Sequence, residues 1–155
     1  MYRKVVVPDK SLKPIVEKLK DYFKKRKEVV FAFLFGSTIR NQIHKNSDID
    51  IGVYFYPAGD KIEIEEDVRY GCEEEVWEDI EKILREEVDL VVLNRAPSTI
   101  CLSAIRGIPV IIKDWEIYLK FMEIVVSEGI DYQEMIISEF ERKIENEKRD
   151  KKKDY

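Results

Sequence analysis

An α/β domain, a small sheet covered by helices, is the architecture that this 155-residue sequence predicts. Three observations lead there. Short apolar runs of strand composition alternate along the chain with segments whose apolar residues recur every three or four positions. Apolar residues make up 45% of the chain and charged residues 38%, the balance of a globular protein rather than a disordered one. No internal repeat is visible, and a chain of this length buries roughly two thirds of its unfolded surface, so one domain suffices. Residues 1–140 are assigned to it. Residues 141–155, ERKIENEKRDKKKDY, read as a charged helical or frayed tail.

The elements follow in order. Leu12, Ile15, Val16, Leu19, Tyr22 and Phe23 fall at helical spacing with lysines between them, which predicts an amphipathic helix over 11–27 with Ser11 as its cap and Pro14 in the first turn. VVFAFLF, Val29 to Phe35, is the first strand, closed by the Gly36-Ser37 turn and followed by a short helical segment from about Thr38. DIDIGVYFY from Asp48 is the second, closed by PAGD. Within the acidic residues 60–87, Val76, Trp77, Ile80, Ile83 and Leu84 mark a helix that Gly71 divides. VDLVVLN, 88–94, is a third strand. A short helix opens near Pro97 or Ser98, and Gly107 leads into a fourth strand, PVIIK. Helix then runs from Trp115 to Val126, breaks at Gly129 and resumes at Tyr132.

Composition excludes several classes of function. The longest apolar run is about seven residues, against the ~20 of a membrane span. The N-terminus lacks the apolar core of a secretory signal, which predicts a cytoplasmic protein without a membrane partner. Cys72 and Cys101 form no CxxC, and His44 is the single histidine, so a zinc site is excluded and both thiols read as small buried hydrophobes. The net charge of −5 is unevenly spread: residues 1–35 carry ten basic side chains to four acidic, and residues 60–87 four to thirteen. An acidic face favours a basic protein partner over nucleic acid.

Chemistry concentrates at Asp48 and Asp50, inside an otherwise apolar run. Alternation along a strand puts both carboxylates on one face, their Cα atoms ~6–7 Å apart. Two anions held together repel unless a cation lies between them, and oxygen ligands select Mg²⁺ or Mn²⁺. Side chains converging from that separation can clasp two ions ~3.5–4 Å apart, as in phosphoryl-transfer sites. Asp89, the one charge in the third strand, supplies a third carboxylate provided that strand lies beside the second. Gly36-Ser37 lets backbone approach an anion such as a nucleotide phosphate, with Ser37 and Thr38 as hydroxyl donors and Arg40 within reach. Neither GxxxxGK[ST] nor GxGxxG occurs. His44 reads as an exposed loop residue and Trp77 and Trp115 as packing residues. Ser98 and Ser103 have no His-Asp set for hydrolase chemistry.

Gly36-Ser37, ten residues, Asp48-Ile-Asp50, then Asp89 in VDLVVLN: this frame resembles the minimal nucleotidyltransferase (MNT) family of the DNA polymerase beta superfamily. The likeness extends from about residue 28 to 135, through DLVVLNRAPSTICLSAIRGIPVII. It implies a DNA polymerase beta-like fold, a small mixed sheet covered by helices. It also implies an enzyme that moves AMP from ATP to a hydroxyl with two Mg²⁺ ions. Family members include antitoxins paired with HEPN ribonuclease toxins, some of which add AMP to a toxin tyrosine. By position, Gly36, Ser37, Thr38 and Arg40 would bind the nucleotide, Asp48 and Asp50 both metals, and Asp89 the catalytic metal. Where the family usually has Arg-Gly, this chain has Arg40-Asn41, and asparagine tolerates positive φ better than most residues. The expected partners are ATP and a HEPN-type toxin, in a homodimer or hetero-oligomer. Two alternatives share the frame: an antitoxin that masks its partner by binding alone, and a nucleotidyltransferase acting on a small molecule such as an aminoglycoside.

Overall fold

A computed structural model describes residues 12–36 and 48–153, with the backbone alone at 129–136 and 150–153. Among these residues four strands and four helices follow in the order α1 (Lys13–Lys24), β1 (Val29–Phe35), β2 (Ile49–Phe55), α2 (Glu73–Leu84), β3 (Val88–Val92), α3 (Ser98–Ile105), β4 (Ile108–Ile112) and α4 (Trp115–Lys153). The strands form one sheet in the order β3-β2-β1-β4. β1 runs antiparallel to both β2 and β4, while β3 lies parallel to β2. The sheet is therefore mixed, and the third strand does lie beside the second.

The central strands are apolar on both sides because both faces are covered. β1 is buried along its whole length. On one face, Leu19 and Phe23 of α1 and Val76 and Ile80 of α2 close over Ala32, Leu34, Ile51, Val53 and Phe55. On the other, Cys101, Leu102 and Ala104 of α3 and Tyr118, Phe121 and Val125 of α4 pack on Phe31, Phe33 and Tyr54. Phe31 and Tyr54 stack with ring centres 4.9 Å apart. Each such side chain contributes about 1.5–3 kcal/mol by leaving water.

Several boundaries differ from the sequence expectation. α1 covers 13–24 rather than 11–27, with Leu12 at its N-cap position. Of the acidic stretch only 73–84 is helical, with Gly71 preceding it. Residues 60–70 form no regular element and are tied to the sheet by side chains. Gly129 does not break α4, which runs unbroken through it to Lys153. A helical glycine costs only ~1 kcal/mol, too little to interrupt a helix supported by good formers on both sides. Trp77 is 44% and Trp115 58% exposed, so neither is a core residue. Each lies at the rim of its helix face, where the indole covers apolar surface while reaching water. No described helix is long and apolar enough to cross a membrane.

Candidate functional site

The site is assembled where three chain segments meet at one end of the sheet. β1 ends at Gly36, whose φ of +78° lies in the left-handed region that favours glycine. The antiparallel register sets Phe35 opposite Asp50, so the turn after β1 falls against the Asp50 side chain. A Cβ built on Gly36 would overlap Asp50 Oδ2. Glycine is thus required twice, once by its backbone angle and once by the carboxylate beside it.

The parallel register then sets Asp50 directly beside Asp89. Neighbouring strands are ~4.8 Å apart, which brings the two carboxylates within reach of each other. Asp50 is pushed above the ordinary carboxylate range by its partial burial, then by the charges of Asp89 and Asp48. Asp48, exposed, sits one residue before β2 and adds its field to the pair. Gly52, two residues further along β2, is covered by Leu93 and Ala104, which places this face of the strand on the α3 side of the sheet.

Like charges set side by side are suited to a hard divalent ion, which offsets their repulsion. Among the described residues no group of three or more His, Cys, Asp or Glu stands as a ready-made cage for a metal. Magnesium does not need one, since it commonly takes one or two carboxylates and completes its shell with substrate phosphates and water. The Asp50–Asp89 pair fits that role, with oxygen as its only donor atom.

Of the residues singled out from the sequence, the structure brings together Gly36, Asp50 and Asp89, with Asp48 at their edge. Ser37, Thr38, Arg40, Asn41 and His44 lie outside the described residues, as does the helical segment expected after Thr38. Sequence reasoning missed the surroundings of Asp89. β3 is an edge strand, and Trp77 Nε1 donates a 2.8 Å hydrogen bond to the carbonyl of Val88, next to Asp89. A cavity of about 270 Å³ follows this edge, lined by Trp77, Asp89, Leu90 and Arg95 among others. Arg95 is held there by a bidentate pair to Glu73, at 2.6 and 2.9 Å. Burial alone would raise the Glu73 carboxyl, but the Arg95 guanidinium and the Tyr70 N–H hold it below its ordinary value. Cys101 is buried, bonded to backbone carbonyls of Leu93 and Ala96, and its thiol is pushed up to about 12 by burial, so it acts as a core residue. Ser98 donates to Glu128.

Residues 17–116 match the family model of the polymerase beta nucleotidyltransferases. No curated protein matches the sequence at a significant level. Among solved structures, a toxin–antitoxin crystallised with AMP-PNP is similar to this chain at 20% identity and a TM-score of 0.60, over 82% of this chain and 96% of that one. An MntA–HepT toxin–antitoxin structure is 20% identical with a TM-score of 0.53, over 83% and 92%. A tri-AMPylated Shewanella oneidensis HEPN toxin in complex with an MNT antitoxin provides a match at 18% identity and a TM-score of 0.51, over 86% and 95%. At such identities the likeness shows the fold.

Proposed function

Since the chain belongs to the polymerase beta nucleotidyltransferase family, we propose that it is a Mg²⁺-dependent adenylyltransferase that moves AMP from ATP to a tyrosine of a HEPN-type toxin, and so acts as an antitoxin. The observation that carries this reading is the in-register Asp50–Asp89 pair closed by Gly36. It sets like charges side by side next to a turn that backbone alone can occupy, which suits a phosphate chain escorted by cations.

In the reaction, the acceptor hydroxyl oxygen bonds to the α-phosphorus of ATP, the bond from that phosphorus to the bridging oxygen breaks, and pyrophosphate leaves with the electron pair. Asp89 takes the hydroxyl proton. Gly36, Ser37, Thr38 and Arg40 would hold the triphosphate, and Asp48 and Asp50 with Asp89 would hold two Mg²⁺ ions. Mg²⁺ bound there would supply positive charge for the phosphates and the developing nucleophile. The cavity along the β3 edge gives the acceptor side chain room beside Asp89. The choice of a HEPN toxin draws on the neighbouring structures described as toxin–antitoxin complexes, one of them tri-AMPylated. The choice of cytoplasm goes with such a partner.

Intact-mass measurement of a candidate HEPN toxin after incubation with this protein, ATP and Mg²⁺ tests the reading. The expected result is a gain of one or more AMP units that disappears in Asp48→Asn/Asp50→Asn. A stable complex with no gain from either version would replace it with masking by binding alone. Turnover of an aminoglycoside without any protein partner would replace it with small-molecule transfer.

A further inference from the structure

We infer that the outer edge of β3 is the acceptor dock, where an extended segment of the acceptor protein adds as a further strand and sets its hydroxyl-bearing residue beside Asp89. This rests on the adenylyl transfer proposed above. β3 is an edge strand, parallel to β2. Ile49 N donates to the Glu87 carbonyl and Leu93 N to the Val53 carbonyl. By alternation, the backbone groups of Asp89 and Val91 then face β2, while those of Val88, Leu90 and Val92 face outward. The Val88 carbonyl accepts from Trp77 Nε1, and the Val92 carbonyl from Arg95 N and Ala96 N. The Leu90 N–H and carbonyl and the Val92 N–H have no partner among the described residues. The cavity of about 270 Å³ runs along these groups. The opposite edge is built differently: β4 carries Pro109, and its pairing with β1 shifts register between Ala32 and Phe33. Proline and irregular register both stop a strand from adding. β3 has no proline and keeps one register with β2 throughout.

Register ties this edge to the chemistry. Asp89 stands beside Asp50, so their side chains share one face of the sheet. The residue that an added strand sets beside Asp89 projects to that same face whichever way the strand runs, with its Cβ about 4.5–5.5 Å from that of Asp89. A hydroxyl carried there lies along the carboxylates that take its proton and hold the cations. Trp77 occupies the edge at Val88, so the segment pairs along Leu90 to Val92 and its acceptor residue is the last in the pairing. Charge indicates the composition of the segment. Three acidic side chains and one basic one line the cavity, and the basic one, Arg95, is held by Glu73. Exposed Glu74 has no ion-pair partner among the described residues. A docked segment with lysine or arginine next to its acceptor residue complements that rim.

Residue-resolved amide exchange by NMR on the full chain, with and without the HEPN toxin of the mass measurement, tests the dock in the absence of ATP and Mg²⁺. Exchange at Leu90 and Val92 is expected to slow at least about tenfold when the toxin is added. In transfer kinetics, Leu90→Pro removes an outward N–H at a position where an edge strand tolerates proline. Its KM for the toxin is expected to lie about tenfold above that of Leu90→Ala, which loses the same packing but keeps the N–H, while the KM for ATP shows no such gap. Glu74→Lys is expected to raise the KM for the toxin, and less so at high salt. Amides that stay fast with toxin bound, or a proline variant no worse than the alanine one, overturn the dock and leave adenylyl transfer standing. Amides already slow in the isolated chain also overturn it, since the edge is then filled before the acceptor arrives. Slowing on addition of toxin without any gain of AMP supports the docked strand and overturns the transfer. A toxin that neither binds nor gains AMP overturns both.

Discussion

The two ends of the β2–β3 pair handle polarity in opposite ways. At the far end, just beyond β3, Asn94 is fully buried and every polar atom of its side chain is used. Its oxygen accepts from Phe55 N at 2.9 Å, and its amide donates to Phe55 O at 2.9 Å, to Glu63 at 2.9 Å and to the Tyr70 hydroxyl at 3.0 Å. Tyr70 donates to Glu63, and the Tyr54 hydroxyl donates to the Glu63 carbonyl while accepting from its N–H. This network ties the irregular residues after β2 to the sheet. At the near end, half-buried Asp50 stands in register beside exposed Asp89, two groups of the same charge. A satisfied network stabilises the fold by itself, whereas a like-charged pair leaves part of the local requirement for something that binds.

The comparison can be broken most directly by exchanging charge at the near end. Asp50→Asn should lower nucleotidyl transfer at least about 10²-fold, by removal of a cation ligand, as read by the toxin's mass gain over time. Its effect on chemical denaturation without Mg²⁺ should stay within about 1 kcal/mol of neutral or be stabilising, because a like charge has been removed. A large loss of stability would show that the pair is structural and sink the contrast.

Asn94→Ala should do the reverse, costing about 3 kcal/mol in denaturant titration by stranding the buried N–H and C=O of Phe55. If the loss were below about 1 kcal/mol, water would have to replace the amide. Gly36→Ala should cost about 2 kcal/mol from its positive φ and from overlap with Asp50. In an Asp50→Ala background the overlap disappears, so the penalty should shrink toward the φ strain alone. Additive losses in that double-mutant cycle would separate the turn from the carboxylate.

The smallest effect concerns Glu73, whose folded value lies below the ordinary 4.5 because of Arg95 and the Tyr70 N–H, against the opposing pull of burial. A depressed carboxyl contributes stability that is present above its unfolded value and lost as pH falls through its folded one. Glu73→Gln should therefore cost about 1 kcal/mol at neutral pH. The difference from the native chain should fade as pH drops below 4.5. A gap that is constant across that window would mean packing rather than charge.

Much of this was legible in the residues. β1 is the VVFAFLF run at its predicted limits, and the core of β2 is the run that carries Asp50. Of the two thiols expected to be buried, Cys101 is, while Cys72, at the start of α2, is only half-buried. The resemblance carried by Gly36-Ser37 and Asp48-Ile-Asp50 led to the nucleotidyltransferase fold that the family match shows. Trp77 and Trp115 misled because helical spacing says which residues share a face and not how far the partner surface extends beneath them. Gly129 misled because a local propensity near 1 kcal/mol is small beside the cooperativity of a 39-residue helix.

The sequence by itself determined the periods, and with them the main strands and helices and the run that carries Asp50, because a side chain's direction follows from its neighbours within a few residues. Only the tertiary structure decided that β3 lies parallel to β2 at the sheet edge, that Asp89 stands in register with Asp50, and that Gly36 closes on that carboxylate. Those contacts join residues 14 and 39 positions apart in sequence. Their geometry is set by sheet order and register, which depend on how all the apolar faces of the chain are buried together.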